Sequence, residues 1–373
     1  MPGPVQGLRR HALALAKGFY DQGRHHLLFD RKRGDLYGKL VAAREFFAGA
    51  MLRVDVCTVC QLRCQECPTA SGANRNGVVG WGMMGFDDFR RVVDQVPSLR
   101  LVELSNWGEI LLNPDLPDII QYAHQQDIKL KAGNGVNLNR ISEETLEAMV
   151  RYRFDYLSVS LDGASQETYS TYRRGGDFDR VIENIRRLNA LKTKHTTDKP
   201  KLLWQYVVFG HNEHELPAAR RMAEELGMKF RAKLNYAKDY SPVRDAEMVR
   251  RESGLGVSSR EEFKRKHRRA YKRACMQLWD CPQINWDGKL LGCCANRFGH
   301  YGNVLEDGLH ALLDSERYTY AQRMTLGLEP PRRDIPCSSC NAYWEMARDR
   351  GAAWRREDFD QAWARGEPAR LNT

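Results

Sequence analysis

The stretch LRVDVCTVCQLRCQEC, Leu52 to Cys67, decides how the chain reads. Its first part, Leu52–Cys57, is an apolar-rich run of strand length. Its second part crowds Cys57, Cys60, Cys64 and Cys67 into eleven residues, the last three spaced C-x3-C-x2-C. Such crowding suits a loop wrapped on a metal or an iron–sulfur cluster. Four thiolates could hold zinc, but structural zinc usually takes two separated pairs brought together by a hairpin or helix. Three thiolates on a 4Fe-4S cube leave one iron open to substrate or cofactor.

Outward from this stretch, short apolar runs alternate with amphipathic segments of helical length. Candidate strands are Leu52–Cys57, Leu101–Ser105, Ile128–Ala132, Tyr156–Leu161, Leu202–Phe209 and Lys229–Leu234. Helices are expected near Phe86–Val96, Leu116–Gln125, Ser142–Tyr152, Phe178–Leu191 and Glu213–Leu226. Repeated βα units imply an α/β fold with a parallel sheet, and six units suit a partial barrel better than a full eight-unit one. Polar or Gly-rich clusters follow the strands: Asn106-Trp107-Gly108-Glu109, Gly133-Asn134-Gly135, Ser160-Leu161-Asp162-Gly163, Gly210-His211-Asn212 and Asn235-Tyr236. Any one of these could be mere turn punctuation. Together they predict a mouth at the C-terminal ends of the strands, where parallel α/β folds place their sites.

Cys60-Gln-Leu-Arg-Cys64-Gln-Glu-Cys67 after the first strand, with Gly108-Glu109, Gly133-Asn134-Gly135, Ser160–Gly163 and Tyr172–Gly175 after the later ones, resembles the radical S-adenosylmethionine (SAM) enzymes over roughly residues 50–235. The resemblance implies a partial (β/α)6 TIM-like barrel and a cluster held by Cys60, Cys64 and Cys67. SAM would chelate the open iron and be reductively cleaved to a 5′-deoxyadenosyl radical that abstracts a substrate hydrogen. Gly108 and Glu109 would meet the methionyl amino group, Asn134 and Ser160 the ribose or carboxylate side, and Arg173 the carboxylate, with Arg174 as its neighbouring alternative. Glu66 stands where many members carry an aromatic that stacks on adenine, so adenine is expected on apolar atoms near Val207. Cys57 reads as a strand-end residue, since a fourth thiolate would close the iron.

The other six cysteines are Cys275, Cys281, Cys293, Cys294, Cys337 and Cys340. Cys275 to Cys293 reads as a hairpin about an Asp287-Gly288 turn, and Cys337 and Cys340 form a C-x2-C pair, a four-ligand set for zinc or an iron–sulfur cluster. With Gly302-Asn303-Val304, this pattern is similar to the SPASM or twitch extension of the same family. That similarity implies one auxiliary 4Fe-4S cluster on Cys275, Cys293, Cys337 and Cys340, acting in electron transfer. Cys281 and Cys294 are left as buried hydrophobes, a hydrogen-atom donor or an alternative ligand.

Charge and composition bound the rest. The chain has 373 residues with 42% apolar and 28% charged, enough for a real core, and no apolar run of spanning length, which points to a cytoplasmic protein with no membrane role. Ten cysteines there argue for metals over disulfides. The net charge of +10 is concentrated: residues 1–50 carry nine Lys/Arg against four Asp/Glu, and residues 244–273 eleven against five. A basic, helical N-terminal arm (1–49), the barrel (50–235), a basic linker (236–273), a cluster domain (274–345) and a tail (346–373) follow. No aromatic platform interleaves the basic linker, so it reads as a solvated helix, which argues against nucleic acid. The expected activity is a two-electron oxidation (dehydrogenation) of a small-molecule or carrier-bound substrate, with the auxiliary cluster accepting an electron. Asp239 is the expected base, and a flavodoxin or ferredoxin the low-potential donor. Only some fifty residues precede the barrel, too few for a leader-peptide module. Epimerisation, peptide maturation and a non-catalytic zinc- or iron–sulfur nucleic-acid-binding role stand as alternatives.

Overall fold

A computed structural model describes residues 51–267, 271 and 274–348. The expected basic arm, part of the linker and the tail beyond 348 lie outside the described residues. The barrel runs β1 (Met51–Val54), α1 (Phe86–Asp94), β2 (Leu101–Glu103), α2 (Leu116–Gln125), β3 (Lys129–Val136), α3 (Glu143–Arg151), β4 (Tyr156–Ser160), α4 (Gln166–Tyr172), α5 (Phe178–Lys194), β5 (Lys201–Val208), α6 (Leu216–Glu225) and β6 (Lys229–Leu234). All six expected strands and five expected helices are present, with ends displaced by a few residues. Side-chain caps set several helix starts: Ser142, Ser165 and Asp177 each accept an N–H three residues on, satisfying donors the first turn leaves free.

Alternation along the strands builds two different faces. Leu52, Val54 and Val56 of the first segment, Leu157, Val159 and Leu161 of the fourth, and Trp204, Tyr206 and Val208 of β5 belong to one apolar core with the helices. The opposite face turns inward and carries Arg53, Asp55, Ser158, Ser160 and Gln205.

Four features depart from the sequence reading. Gly133-Asn134-Gly135 lies inside β3 rather than after it, at an irregularity between Ala132 and Val136 in the pairing with β4. Helix α4 was not anticipated. The linker holds two helices, α7 (Ala246–Glu252) and α8 (Arg260–His267), not one; α8 buries none of its residues, as a solvated helix should.

The expected hairpin is also rearranged. A short helix, α9 (Gln277–Asp280), separates Cys275 from β7 (Gln283–Ile284), and β7 joins the barrel sheet beside β1. The sheet order is β6-β5-β4-β3-β2-β1-β7, every pair parallel. The Asp287-Gly288 turn does form: Gly288 has φ +81°, its N–H donates to Asn285 O at 3.0 Å, and Ile284 bridges antiparallel to Leu290. Helices α10 (Leu309–Asp314), α11 (Glu316–Thr325) and α12 (Asn341–Ala347) complete the described chain.

The hairpin is keyed to the barrel by Trp286. Its indole N–H and the Asn285 side-chain amide both donate to Val79 O at 2.9 Å, and a Cβ on Gly82 would lie 2.5 Å from the indole ring. Gly82→Ala should therefore destabilise the protein by about 1–3 kcal/mol through overpacking. The same change in a Trp286→Ala background should be nearly neutral; equal losses of thermal stability in both backgrounds would contradict the contact.

Candidate functional site

The cysteine loop sits on the β1 end of the mouth. Leu62, Cys64, Tyr172, Val207 and Phe209 form a small apolar cluster, with Cys60, Cys67 and Tyr240 packed against it. The three thiols of C-x3-C-x2-C are thus collected in one place, whereas Cys57 is buried beside it with its Sγ on Val59 O at 3.4 Å. Burial pushes the Cys60 thiol up to about 12, with Glu109 and the other two thiols adding to the effect, and burial also raises Cys64. Apolar thiols of this kind reach the thiolate form on coordinating a metal. No aromatic stands at Glu66, yet rings are supplied nearby: Tyr172 and Phe209 lie 4.7 Å apart and Phe209 and Tyr240 5.4 Å, against Val207.

The next strands bring the remaining predicted residues around these thiols. A Cβ on Gly108 would lie 2.4 Å from Cys57 O, so only glycine lets the β2 loop cross so close to the cysteine-bearing segment. Glu109 is buried; its Oε1 accepts from Leu111 N–H at 3.2 Å and its Oε2 from Asn137 N–H. Burial pushes its carboxyl up to about 7, and each oxygen keeps a lone pair for a further donor. Asn134 donates to Asn106 Oδ1 at 2.8 Å, and its carbonyl accepts from Gln205 Nε2 at 3.0 Å. Ser160 is buried with its Oγ in the space a Cβ on Gly135 would need, 2.2 Å away; Gly135 has φ +119°, so that position requires glycine. Arg173 pairs with Asp162 at 2.7 Å and points Nη1 at Cys64 Sγ, 3.9 Å away. The Arg174 side chain is exposed. Asp239 is exposed as well, in the loop after β6, and so is Tyr236, whose hydroxyl pairs with that of Tyr172.

The second thiol set also converges. Cys275, Cys293, Cys337 and Cys340 line one pocket with Leu278, Pro336 and Tyr343. Tyr301 OH lies 3.6 Å from Cys337 Sγ. Burial and the neighbouring thiols raise Cys275 and Cys293 well above the ordinary thiol range, and burial takes Cys337 to about 11. Among the described residues no three His, Cys, Asp or Glu side chains meet at a single-ion position, so the four thiols border a shared space rather than a point. Cys294 stands apart. Its N–H donates to Gln277 Oε1 at 2.6 Å, and its carbonyl accepts from Asn106 Nδ2 at 3.1 Å, linking this loop to the mouth.

A Radical SAM superfamily model matches residues 54–222, and an iron–sulfur cluster-binding SPASM model matches residues 275–341. The chain is a radical SAM protein with a C-terminal SPASM domain. SAM, a SAM-binding 4Fe-4S cluster and auxiliary iron–sulfur ligation belong to that architecture. The chain is similar to an AdoMet-dependent heme synthase of Methanosarcina barkeri, 28% identical over 170 residues, spanning 45% of each protein. It is also similar to a tungsten-containing aldehyde ferredoxin oxidoreductase cofactor-modifying protein of Pyrococcus furiosus, 23% identical over 78% of this chain and 86% of that one. Among solved structures, SuiB of Streptococcus suis bound to S-adenosylmethionine superposes with a TM-score of 0.56 at 16% identity over 81% of this chain and 74% of its own, a likeness of fold. Among the described residues no helix is long and apolar enough to cross a membrane.

This radical SAM protein carries functional candidates that the sequence reading passed over, on the inner face of the strands. Arg53, Asp55 and Glu103 are all buried, and Lys131 Nζ lies 4.0 Å from Glu103 Oε2. Arg53 Nε donates to Gln283 Oε1 at 2.9 Å and Nη2 to Ser105 O at 3.2 Å, but Nη1 is unpaired among the described residues. Both Asp55 oxygens are also without a hydrogen-bond partner there, although Asn106 and the Trp107 backbone lean toward them. Asp280, at the end of α9, has its Oδ1 enclosed and unpartnered, with Arg53 and Lys131 as the cations that influence it. The signal was the alternation Leu52-Arg53-Val54-Asp55-Val56, which places the charges on one face and the aliphatics on the other.

Burial pushes the Asp55 carboxyl up to about 7, against an opposing pull from Arg53. Because the neutral acid is favoured when folded, folding takes up a proton, and stability falls as pH rises from the ordinary carboxylate range toward 7. Asp55→Asn, which cannot ionise, should gain in melting temperature over the wild type as pH goes from 5 to 8. A gap that stays constant across that range would contradict the burial account.

Proposed function

We propose that the chain carries out a two-electron oxidation of a small or carrier-bound polar substrate at the mouth of the barrel. Cys60, Cys64 and Cys67 would hold the SAM-binding cluster, and Cys275, Cys293, Cys337 and Cys340 a single auxiliary 4Fe-4S cluster. Gly108, Glu109, Asn134, Ser160 and Arg173 would hold SAM, with adenine on the Tyr172, Val207 and Phe209 surface. When bound, these groups supply hydrogen-atom abstraction and a nearby electron acceptor. The observation that carries the reading is the Asn106–Cys294 contact of 3.1 Å, which sets the residue next to Cys293 against the mouth; a cluster held on Cys293 would then be near enough to take an electron from a substrate bound there.

Oxidation also needs a base. Asp280 suits that role better than the exposed Asp239: burial pushes its carboxyl up to about 7, near the optimum for proton transfer at neutral pH, and its Oδ1 is enclosed and unpartnered. The substrate proton would pass to Asp280 Oδ1 while Arg53 and Lys131 balance the charge. A second reading, epimerisation, is favoured by one observation: Cys281 and Cys294 both lie close enough to Arg53 to influence it, so either thiol could return a hydrogen atom to the substrate. A flavodoxin or ferredoxin would deliver the reducing electron.

Anaerobic reconstitution should give about eight irons per chain and 5′-deoxyadenosine on reduction. Cys64→Ala should remove about four irons and all cleavage, whereas Cys337→Ala should also remove about four yet keep cleavage. About four irons in the unaltered chain would refute the auxiliary cluster. Asp280→Asn should slow product formation roughly 100-fold or more and Asp239→Asn by less than about threefold; the reverse order would return the base to Asp239. Oxidation leaves no solvent deuterium in the product, and epimerisation leaves one.

A further inference from the structure

The pair Arg53 and Asp55, two residues apart on the inner face of the first strand, carries unmet hydrogen-bonding capacity of opposite sign. Both side chains are fully buried. Arg53 is clamped on two sides by Gln283 and Ser105, so its free Nη1 has a set direction. Both Asp55 oxygens lack a hydrogen bond among the described residues, with the Asn106 side chain and the Trp107 backbone beside them, and no ion pair within 4.0 Å joins Asp55 to Arg53 there. Buried polar groups are rarely left unpaired, and an unmet buried charge is strongly unfavourable. Glu103 cannot answer Arg53 Nη1, because its Oε1 is already occupied by Ser105 N–H, Ser105 Oγ–H and Gly133 N–H at 2.7–3.2 Å and its Oε2 faces Lys131. Arg53, Lys131 and Arg231 are the cations of this inner face, and among the described residues only Lys131 comes within 4.0 Å of a carboxylate there, that of Glu103. Arg231 also leaves its Nε unpaired while its Nη2 bonds Gly133 O and Gln205.

We propose that this pair is a specificity site for a substrate with a carboxylate flanked by an N–H or O–H donor. The carboxylate takes Arg53 Nη1, and the neighbouring donor takes Asp55. Two sources share this chemistry: a free amino or hydroxy acid, and the C-terminal residue of a peptide. The assignment rests on the proposed reading of the mouth as the SAM site, since Asp55 lies just beneath Asn106 and Trp107.

The test is ligand-observed NMR on the reconstituted full chain with SAM. The probes are the twenty L-amino acids, the 2-hydroxy acids lactate and malate, the methyl esters of all of these and the matching Gly-X dipeptides. At least one free acid or dipeptide should bind, its methyl ester about tenfold or more weakly, and Arg53→Gln should erase that acid-over-ester preference. Binding by free acids alone identifies a small-molecule source; binding by dipeptides identifies a peptide C-terminus. No binding by any probe, or equal binding of acid and ester by the wild type, overturns the proposal without recourse to a variant. So does an undiminished preference in an Arg53→Gln protein that retains its iron. Asp55→Asn gives an independent check, since it should weaken the acid and its ester alike. Formation of 5′-deoxyadenosine by the wild type under reduction, with no probe present, separates a failure of this assignment from a failure of the SAM reading.

Discussion

A single buried carboxylate fixes the geometry of the inner face. Glu103 Oε1 accepts from two groups of Ser105 and from Gly133 N–H, tying β2 to β3 at the level where β3 loses register with β4. A Cβ on Gly133 would sit 2.7 Å from Glu103 Oε2, so the glycine is what lets the carboxylate reach the backbone. From that knot follow the irregular Asn134 and Gly135, the seating of Ser160 Oγ against Gly135, and the Asn134–Asn106–Cys294 chain that joins mouth to SPASM loop. Three accepted hydrogen bonds offset much of the desolvation of that charge, and the structure spends them on positioning.

Much of this was legible in the residues. Six strands could be placed because each is an apolar run between amphipathic helices, and the thiols could be grouped because the resemblance assigns Cys60, Cys64 and Cys67 to the cluster and leaves Cys57 at the strand end. The inner face was not legible in the same way. Strands of parallel sheets usually read as continuous aliphatic runs, covered on both sides, and Arg53, Asp55, Glu103 and Lys131 passed as interruptions rather than as a second face. Helix α4 was missed because its apolar positions are tyrosines, Tyr169 and Tyr172, in an otherwise polar heptapeptide; the cap at Ser165 was the available sign.

β7 was hidden for a different reason. Two residues cannot carry a periodicity, and what makes Gln283–Ile284 a strand is its pairing with Arg53 and Val54, more than two hundred residues earlier. Asp280 became a candidate base only through that pairing, since the turn into β7 is what carries α9 up against the inner face. Long-range register of this kind has no local trace, so a loop residue such as Asp239 drew notice in the sequence while an enclosed one did not.

The placement of β7 bears on how the two halves of the molecule can be separated. Arg53 N–H donates to Pro282 O at 3.1 Å and Asp55 N–H to Ile284 O at 2.9 Å, so the SPASM segment caps what would otherwise be a bare rim of the barrel sheet. A chain cut after β6 would present that rim to solvent as a template for pairing with other copies. The cluster-bearing segment is thus part of the barrel's solubility as well as its chemistry, and grafting it onto, or removing it from, a related barrel means rebuilding an edge.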